Sequence, residues 1–238
     1  LSCEGAIPPY GIAHVTVDHI PVRLSLPTTR MRGGSAAYTA FFTECFIDEL
    51  AVEAGRDPFL YRMALLGGEP RMAECLRRAT RLANWDGGRQ GSGQGLAMVR
   101  MGRDPEAAGH IACVAEATPG PGGATVSRLT VACDIGRIVN LDIARQQIEG
   151  GLIFGLSQAV GASLRYDSGR PVPRTLGGLN LPRLSTSPEI VLDFLPSGAE
   201  PFDPGELGTA VAPPAIANAL FAATGRRYRT LPLISESA

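Results

Sequence analysis

Apolar residues recur every three or four positions through SAAYTAFFTECFIDELAVEAG, residues 35 to 55, which puts Tyr38, Phe41, Phe42, Cys45, Phe46 and Leu50 at helical spacing. Gly55, with Asp57-Pro58 beyond it, closes this predicted helix. A second helix is predicted over about Arg71 to Trp85, with Met72, Cys75, Leu76, Ala79 and Leu82 inward and arginines outward. Ahead of both, YGIAHVTVDHI from Tyr10 to Ile20 is β-branched and partly alternating, the pattern of a strand, and it stops at Pro21.

After the DGGRQGSGQG loop the period changes. GLAMVRM, HIACVAEAT and ATVSRLTVACDI read as strands, the last two joined as a hairpin by PGPGG. Asn140 to Ser163 is a helix or broken helix carrying Gly150, Gly151, Gly155 and Gly161. Each interior glycine costs about 1 kcal/mol against alanine, so such a group implies close approach of another backbone or a ligand. SLRYDSGRP is a strand and turn, RPVPRTLGGLNLPRLSTSP an irregular excursion, EIVLDFLP a short strand, and Pro213 to Thr224 a final helix with two prolines in its first turn. The interleaving of helices, strands and hairpins predicts an α+β fold of mixed sheets with packed helices. The change of character at the glycine loop predicts two lobes, residues 1–90 and 91–238, the first a partial repeat of the second.

Composition narrows the function classes. A chain of 238 residues, 45% hydrophobic, 19% charged and with a net charge of -1, holds enough apolar residues for a real core. It lacks the basic excess of a nucleic-acid binder. No uninterrupted apolar run reaches the ~18 residues that span a bilayer. The opening LSCEGAIPPYG has no initiator Met and no basic region leading into an apolar one, so it resembles neither a native start nor a secretory signal, and the compartment stays open between bacterial cytoplasm and periplasm. Five cysteines stand far apart without a CxxC, which favours buried thiols over zinc or iron–sulfur ligation.

Few motifs carry chemistry. GSGQG at 91–95 precedes a strand and is not followed by GK[ST], so a connector fits it better than a phosphate loop. His14 and His19 point to opposite faces of a strand, His110 starts another, and neither GxSxG nor a Cys/His arrangement supports a hydrolase. QQIEGG, Gln146 to Gly151, admits two readings. Its side-chain amide and adjacent glycines can serve a polar polycyclic ligand, or Gly151 and Gly155 can form a helix packing seam. Glu206, in GELGTAVAPPAIANALFAATG, also admits two. It is a carboxylate favoured by a helix dipole, or, set several residues ahead of the helix in an uncharged apolar stretch, a poorly solvated general base.

Taken together, VACDIGRIVNLDIARQQIEGGLIFGLSQAVGASLRYDSGR, then GELGTAVAPPAIANALFAATGRRYRTLP, and upstream MRGGSAAYTAFFTECFIDELAVEAGRDPFLYRMALL, resemble the molybdopterin-binding subunit of the xanthine dehydrogenase and aldehyde oxidase family. The likeness runs from Tyr10 to Pro232 and is greatest for the bacterial isoquinoline oxidoreductase and aldehyde dehydrogenase branch. The resemblance implies a molybdopterin cofactor with molybdenum, in its cytosine dinucleotide form, and hydroxylation of an aldehyde or N-heteroaromatic substrate by water. It makes Glu206 the catalytic base, places Gln147 on the pterin with Glu149, Gly150, Gly151 and Gly205 about the cofactor, and puts Arg32 near the substrate funnel; it assigns no direct metal ligand. It also implies [2Fe-2S] clusters on a partner subunit and an N-terminal molybdopterin-binding half outside this chain, which is then either a split subunit that assembles with a second chain or a truncated domain that cannot bind cofactor alone. Without that half, the chain is expected to expose apolar surface. The competing expectation is a non-catalytic assembly module.

Overall fold

The computed structural model describes residues 3, 5–23, 25, 28–120 and 123–233. Helices α1 (Ala36–Glu53), α2 (Pro58–Leu65) and α3 (Pro70–Leu82) precede the strands β1 (Gln94–Met101), β2 (Gly109–Gly120) and β3 (Gly123–Asp134). Then come α4 (Leu141–Val160), the small hairpin β4 (Arg165–Asp167) and β5 (Arg170–Val172), β6 (Glu189–Phe194) and α5 (Leu207–Thr224). The main sheet has the order β1-β2-β3-β6. Its first three strands form an antiparallel meander, and β6 runs parallel to β3 with Leu129 opposite Ile190. The fold is α+β with a mixed sheet, as the patterning predicts.

Both faces of this sheet are covered, so its strands are apolar throughout. Ala97, Val99, Ile111, Cys113 and Val131 pack against α1, α4 and α5, while Leu96, Met98, Ala112 and Val114 meet Met72, Cys75, Leu76 and Ala79 of α3. The division expected near residue 90 falls in the loop between α3 and β1, but helices from the first segment pack on both faces of the sheet that the second segment builds. Helix α5 is the core element. It buries 15 of its 18 residues, and its length and hydropathy, which would suit a membrane span by composition, serve here to fill the interior.

Several expectations need correcting. Tyr10–Ile20, expected as a strand, joins no ladder among the described residues and bends at Tyr10 and Ala13. Helix α2 goes unpredicted, although Asp57 caps it by accepting from the Phe59 and Leu60 amides, with Pro58 in the first turn. In α1 the aromatic residues mostly point outward: Phe41 is buried, but Phe42 and Phe46 are 60% and 56% exposed. Its inner face is alanine-rich and carries Glu44 and Asp48. Leu82 of α3, expected inward, is 38% exposed. Pro213 and Pro214 lie inside α5 and not at its start, since the helix begins at Leu207. An interior proline costs about 3 kcal/mol by losing a backbone bond and clashing with the preceding turn, and burial of nearly the whole helix offsets that.

The buried carboxylates of α1 have a structural task. Glu44 Oε2 accepts from the Met98 amide at 3.0 Å and from Arg62 Nε at 3.1 Å, while Oε1 accepts from the Tyr10 hydroxyl at 2.6 Å. Asn218 Nδ2 donates to the Leu96 carbonyl at 3.0 Å. Side chains thus satisfy the outward Met98 amide and Leu96 carbonyl of β1, an edge strand.

His110, on β2, is 1% exposed and its Nδ1 has no partner. Burial first, then the Arg71 and Arg100 cations, lower its pKa to about 4 against the opposing pull of Asp134. The unfolded chain takes up this proton near pH 6.5 and the folded chain only near pH 4, so folding stability falls as pH drops through that window. The urea midpoint is expected to decline from pH 6.5 to pH 4 in the parent and to decline less in His110→Leu, as chemical denaturation at a series of pH values will show.

Candidate functional site

The carboxylate end of the site is set by a short turn. Pro204–Glu206 is one turn of 3-10 helix, held by the Asp203 side chain accepting from the Gly205 amide at 2.9 Å, and α5 follows directly. Glu206 is therefore the N-cap residue of α5, not several residues ahead of it, and its side chain makes no capping bond. The carboxylate turns instead toward Arg30, whose Nη2 lies 3.0 Å from Oε2 and 3.4 Å from Oε1. The reading of this acid as poorly solvated in uncharged surroundings is corrected by that cation, which sequence reasoning missed because the two positions lie 176 residues apart. Glu206 is one-third exposed and Arg30 two-thirds, so the pair adds no more than about 1 kcal/mol to stability. Its effect is on where the carboxylate points.

The second wall comes from α4. Asn140 caps this helix by accepting from the Ile143 amide at 3.0 Å, and the helix then runs unbroken through its glycines. Arg32 joins the two walls. Its Nε donates to the Gly205 carbonyl at 2.7 Å and its Nη2 to the Gln147 carbonyl at 2.9 Å, with Gln147 Oε1 at 3.5 Å. A Cβ on Gly205 would stand 3.3 Å from Gln147 Oε1 and 3.1 Å from Asp203 Oδ1, so glycine leaves the turn room between those side chains.

The glycines of α4 divide by face. Gly150 looks toward Arg32, with its would-be Cβ 3.6 Å from Nη1. Gly151 and Gly155 face α5: their would-be Cβ atoms lie 3.2 Å from Gly208 Cα and 2.8 Å from the Thr209 carbonyl. That carbonyl is the one to which Pro213 offers no N–H. For these two glycines the packing-seam reading describes what the structure holds. Glu149 lies 3.6 Å from Arg145 on the outer side of the helix.

These walls enclose a cavity of about 620 Å³ lined by Arg32, Arg137, Asn140, Gln147, Asp203, Gly205 and Glu206, with apolar surface from Ile135, Ile138, Val139, Ile143 and Phe202. Glu206, Gly205, Gln147 and Arg32 are thus brought together, whereas Glu149, Gly150 and Gly151 do not line it. A second cavity, of about 650 Å³, reaches Arg30 from the other side with Tyr38 and Gln158 in its wall, and includes neither Glu206 nor Gln147. Amide and guanidinium donors, with carbonyl and carboxylate acceptors, beside apolar walls suit a flat polar heterocycle. Among the described residues no group of three His, Cys, Asp or Glu side chains could hold a metal, so these residues offer no ligand set of their own. All five cysteines are free thiols, and burial raises the pKa of Cys75, Cys113 and Cys133.

Residues 82–188 match the model of the molybdopterin cofactor-binding domain, a span that includes Gln147 but neither Arg32 nor Glu206. The chain is 33% identical to the membrane-bound aldehyde dehydrogenase [pyrroloquinoline-quinone] of Gluconacetobacter polyoxogenes, over 85% of this chain and 28% of that protein. It is 29% identical to the beta chain of the isoquinoline 1-oxidoreductase of Brevundimonas diminuta, over 96% and 29%, and 31% identical to a chain of the nicotinate dehydrogenase of Pseudomonas putida, over 97% and 21%. The chain therefore spans less than a third of the length of the curated relatives it matches. The crystal structure of the aldehyde oxidoreductase from Desulfovibrio desulfuricans shares its fold, with a TM-score of 0.64 at 16% identity over 86% of this chain and 40% of the other. On these sequence matches the chain belongs to the molybdopterin-binding xanthine dehydrogenase and aldehyde oxidase family.

Proposed function

We propose that the chain is the base-bearing C-terminal part of a molybdenum hydroxylase large subunit, which oxidises an aldehyde or N-heteroaromatic substrate with water as the oxygen source. The observation that carries this reading is the meeting of Glu206 and Gln147, from separate elements, at one cavity bridged by Arg32. When bound, the molybdenum cofactor supplies the two-electron oxidant, so that substrate C–H and water give C–OH, two protons and two electrons. Glu206 accepts the first of those protons at a carboxylate oxygen, which Arg30 orients while leaving it one-third exposed. Gln147 offers its amide to the pterin, and Gly150 leaves space for Arg32 beside it. Glu149, paired with Arg145 on the outer side of α4, and Gly151, packed on α5, serve the cofactor only by holding that helix in place. In this reading the pterin is the cytosine dinucleotide form and the electrons leave through [2Fe-2S] clusters on a partner subunit, because the cysteines of this chain stand too far apart in sequence to suggest a cluster site.

The test is a complex of this chain with the remaining molybdopterin-binding half. Glu206→Gln is expected to keep the molybdenum content of the parent and to lower the rate of dye reduction by about 10²- to 10⁴-fold. Unchanged turnover in that variant removes Glu206 as the base. Failure of the parent complex to take up molybdenum favours an assembly module without catalysis.

A further inference from the structure

We propose that the outer face of α1, carried by Tyr38, Phe42 and Phe46, is a docking surface for the polypeptide that completes the large subunit. The inference rests on reading the chain as the C-terminal part of a longer molybdenum hydroxylase subunit. It adds which face the rest of that subunit covers.

Helix α1 is built inside out. From Ala36 to Ala51 its exposed positions are Tyr38, Phe42 and Phe46, all aromatic and spaced four apart, so they form one stripe along the helix. Glu44 and Asp48, residues of the kind that the solvent face of a surface helix carries, are turned inward and paired with Arg62 and Arg227. A helix that shows apolar side chains on its outer face as well as its inner one has the pattern of an element enclosed by protein. The stripe is ordered. The rings of Tyr38 and Phe42 have centroids 6.4 Å apart, and Phe42 stands edge-on to the buried Phe41 at 6.0 Å, which lowers the side-chain entropy lost on docking. Charged groups bound it at both ends: Glu49, 2.7 Å from Arg229, follows Phe46, and Arg30 shares a cavity wall with Tyr38. Aromatic centre and charged rim are the anatomy of a protein interface.

The occupant follows from length and from continuity with the candidate site. The curated relatives match 85% or more of this chain, while more than two-thirds of each relative lies outside the match and is joined to it in one polypeptide. Such tethering holds the remainder at an effective concentration of about millimolar, well above that of a second copy or a separate protein. The remainder also has to close over Glu206 and Gln147, because this chain supplies only part of the proposed site. From Glu206 the stripe is near. Arg30 pairs with Glu206, and the cavity of about 650 Å³ on the far side of Arg30 has Met31 and Tyr38 in its wall. Met31, itself 54% exposed, and Tyr38 thus make the apolar surface continuous from the candidate site to α1. A polypeptide that closes the site against Arg30 meets Tyr38 next, with Phe42 and Phe46 beyond it. Aromatic anchors of this kind carry a large share of the binding energy at an interface.

The experiment co-expresses this chain with the part of the Brevundimonas diminuta isoquinoline 1-oxidoreductase beta chain that lies outside the 231 matched residues, and reads association and hydroxyl-radical oxidation of side chains, not activity. The expected result is a complex in which Phe42 and Phe46 oxidise several-fold more slowly than in the chain alone. The double variant Phe42→Glu, Phe46→Glu should weaken association by roughly tenfold or more. Its isolated form should melt as the parent does, because both positions are exposed. No complex, a complex in which both rings oxidise as fast as before, or equal association of the variant each overturns the docking face. So does slow oxidation in the isolated chain that is lost on dilution, which makes a second copy the occupant. A complex that forms through another surface leaves the assignment of Glu206 standing, because that assignment is read from turnover.

Discussion

Arg62→Met is expected to cost about 3–5 kcal/mol of folding free energy, against a total of about 5–15 kcal/mol for a domain of this kind. The guanidinium is fully buried and sits between Glu44 and Asp48, at 3.1 and 3.6 Å. Burial alone would lower its pKa, but Glu44, Tyr10 and Asp48 outweigh that and hold it above its ordinary value. Removal of the cation leaves Glu44 as a charge with no counterion in a dry interior, whereas Asp48 keeps Arg227 at 2.7 Å. The same Arg62 fork also bonds the carbonyls of Pro58, Glu44 and Leu96, so α1, α2 and β1 loosen together. Urea denaturation measures the loss. A cycle that adds Glu44→Gln should show part of the stability returning, because the second change removes the stranded charge. If Arg62→Met costs less than about 1 kcal/mol, the network is not what fixes α1 to the sheet.

Gly95→Val is expected to abolish the native packing of the chain. At the start of β1 this residue lies directly on α5, where a Cβ would come 1.9 Å from the Ala219 nitrogen, 2.5 Å from the Ala215 carbonyl oxygen and 2.5 Å from the Asn218 carbonyl carbon. All three are backbone atoms of the buried core helix, so no rotamer change relieves the clash, and the cost exceeds the roughly 1–3 kcal/mol of ordinary overpacking. Because α5 carries Glu206 at its first turn, displacement of the helix also moves the carboxylate away from Gln147. Near-UV circular dichroism and thermal unfolding of the variant should show loss of the cooperative transition. A native-like melt would mean that strand and helix are farther apart than the structure places them.

Much of the architecture was legible in local pattern. The strands of the meander, the antiparallel pairing of β2 with β3 and the helices α1, α3 and α4 follow from periodicity, because each is decided by contacts close in sequence, while the middle of the PGPGG turn lies outside the described residues. Pattern failed where burial and periodicity part company. An amphipathic reading turns the aromatic residues of α1 inward, but the inner face of that helix meets α5 and the edge of β1, where alanines fit closely and Glu44 is needed for the β1 amide. Two prolines suggest a helix start, yet α5 is packed on so many sides that it tolerates them in its interior.

The site divides in the same way. The acid on the GE turn and the amide before the paired glycines stand out from the chain alone, since a lone carboxylate in an apolar stretch and clustered helix glycines are rare local events. The bridge made by Arg32 and the cation at Arg30 join positions 115 and 176 residues apart, and packing between elements brings them together with the acid and the amide at one place. By itself, then, the sequence determined the elements and the residue types able to do chemistry, because those depend on short-range periodicity and side-chain identity. The tertiary structure decided which faces are buried, which charges meet and where the carboxylate points, because those depend on packing between elements that no local pattern encodes.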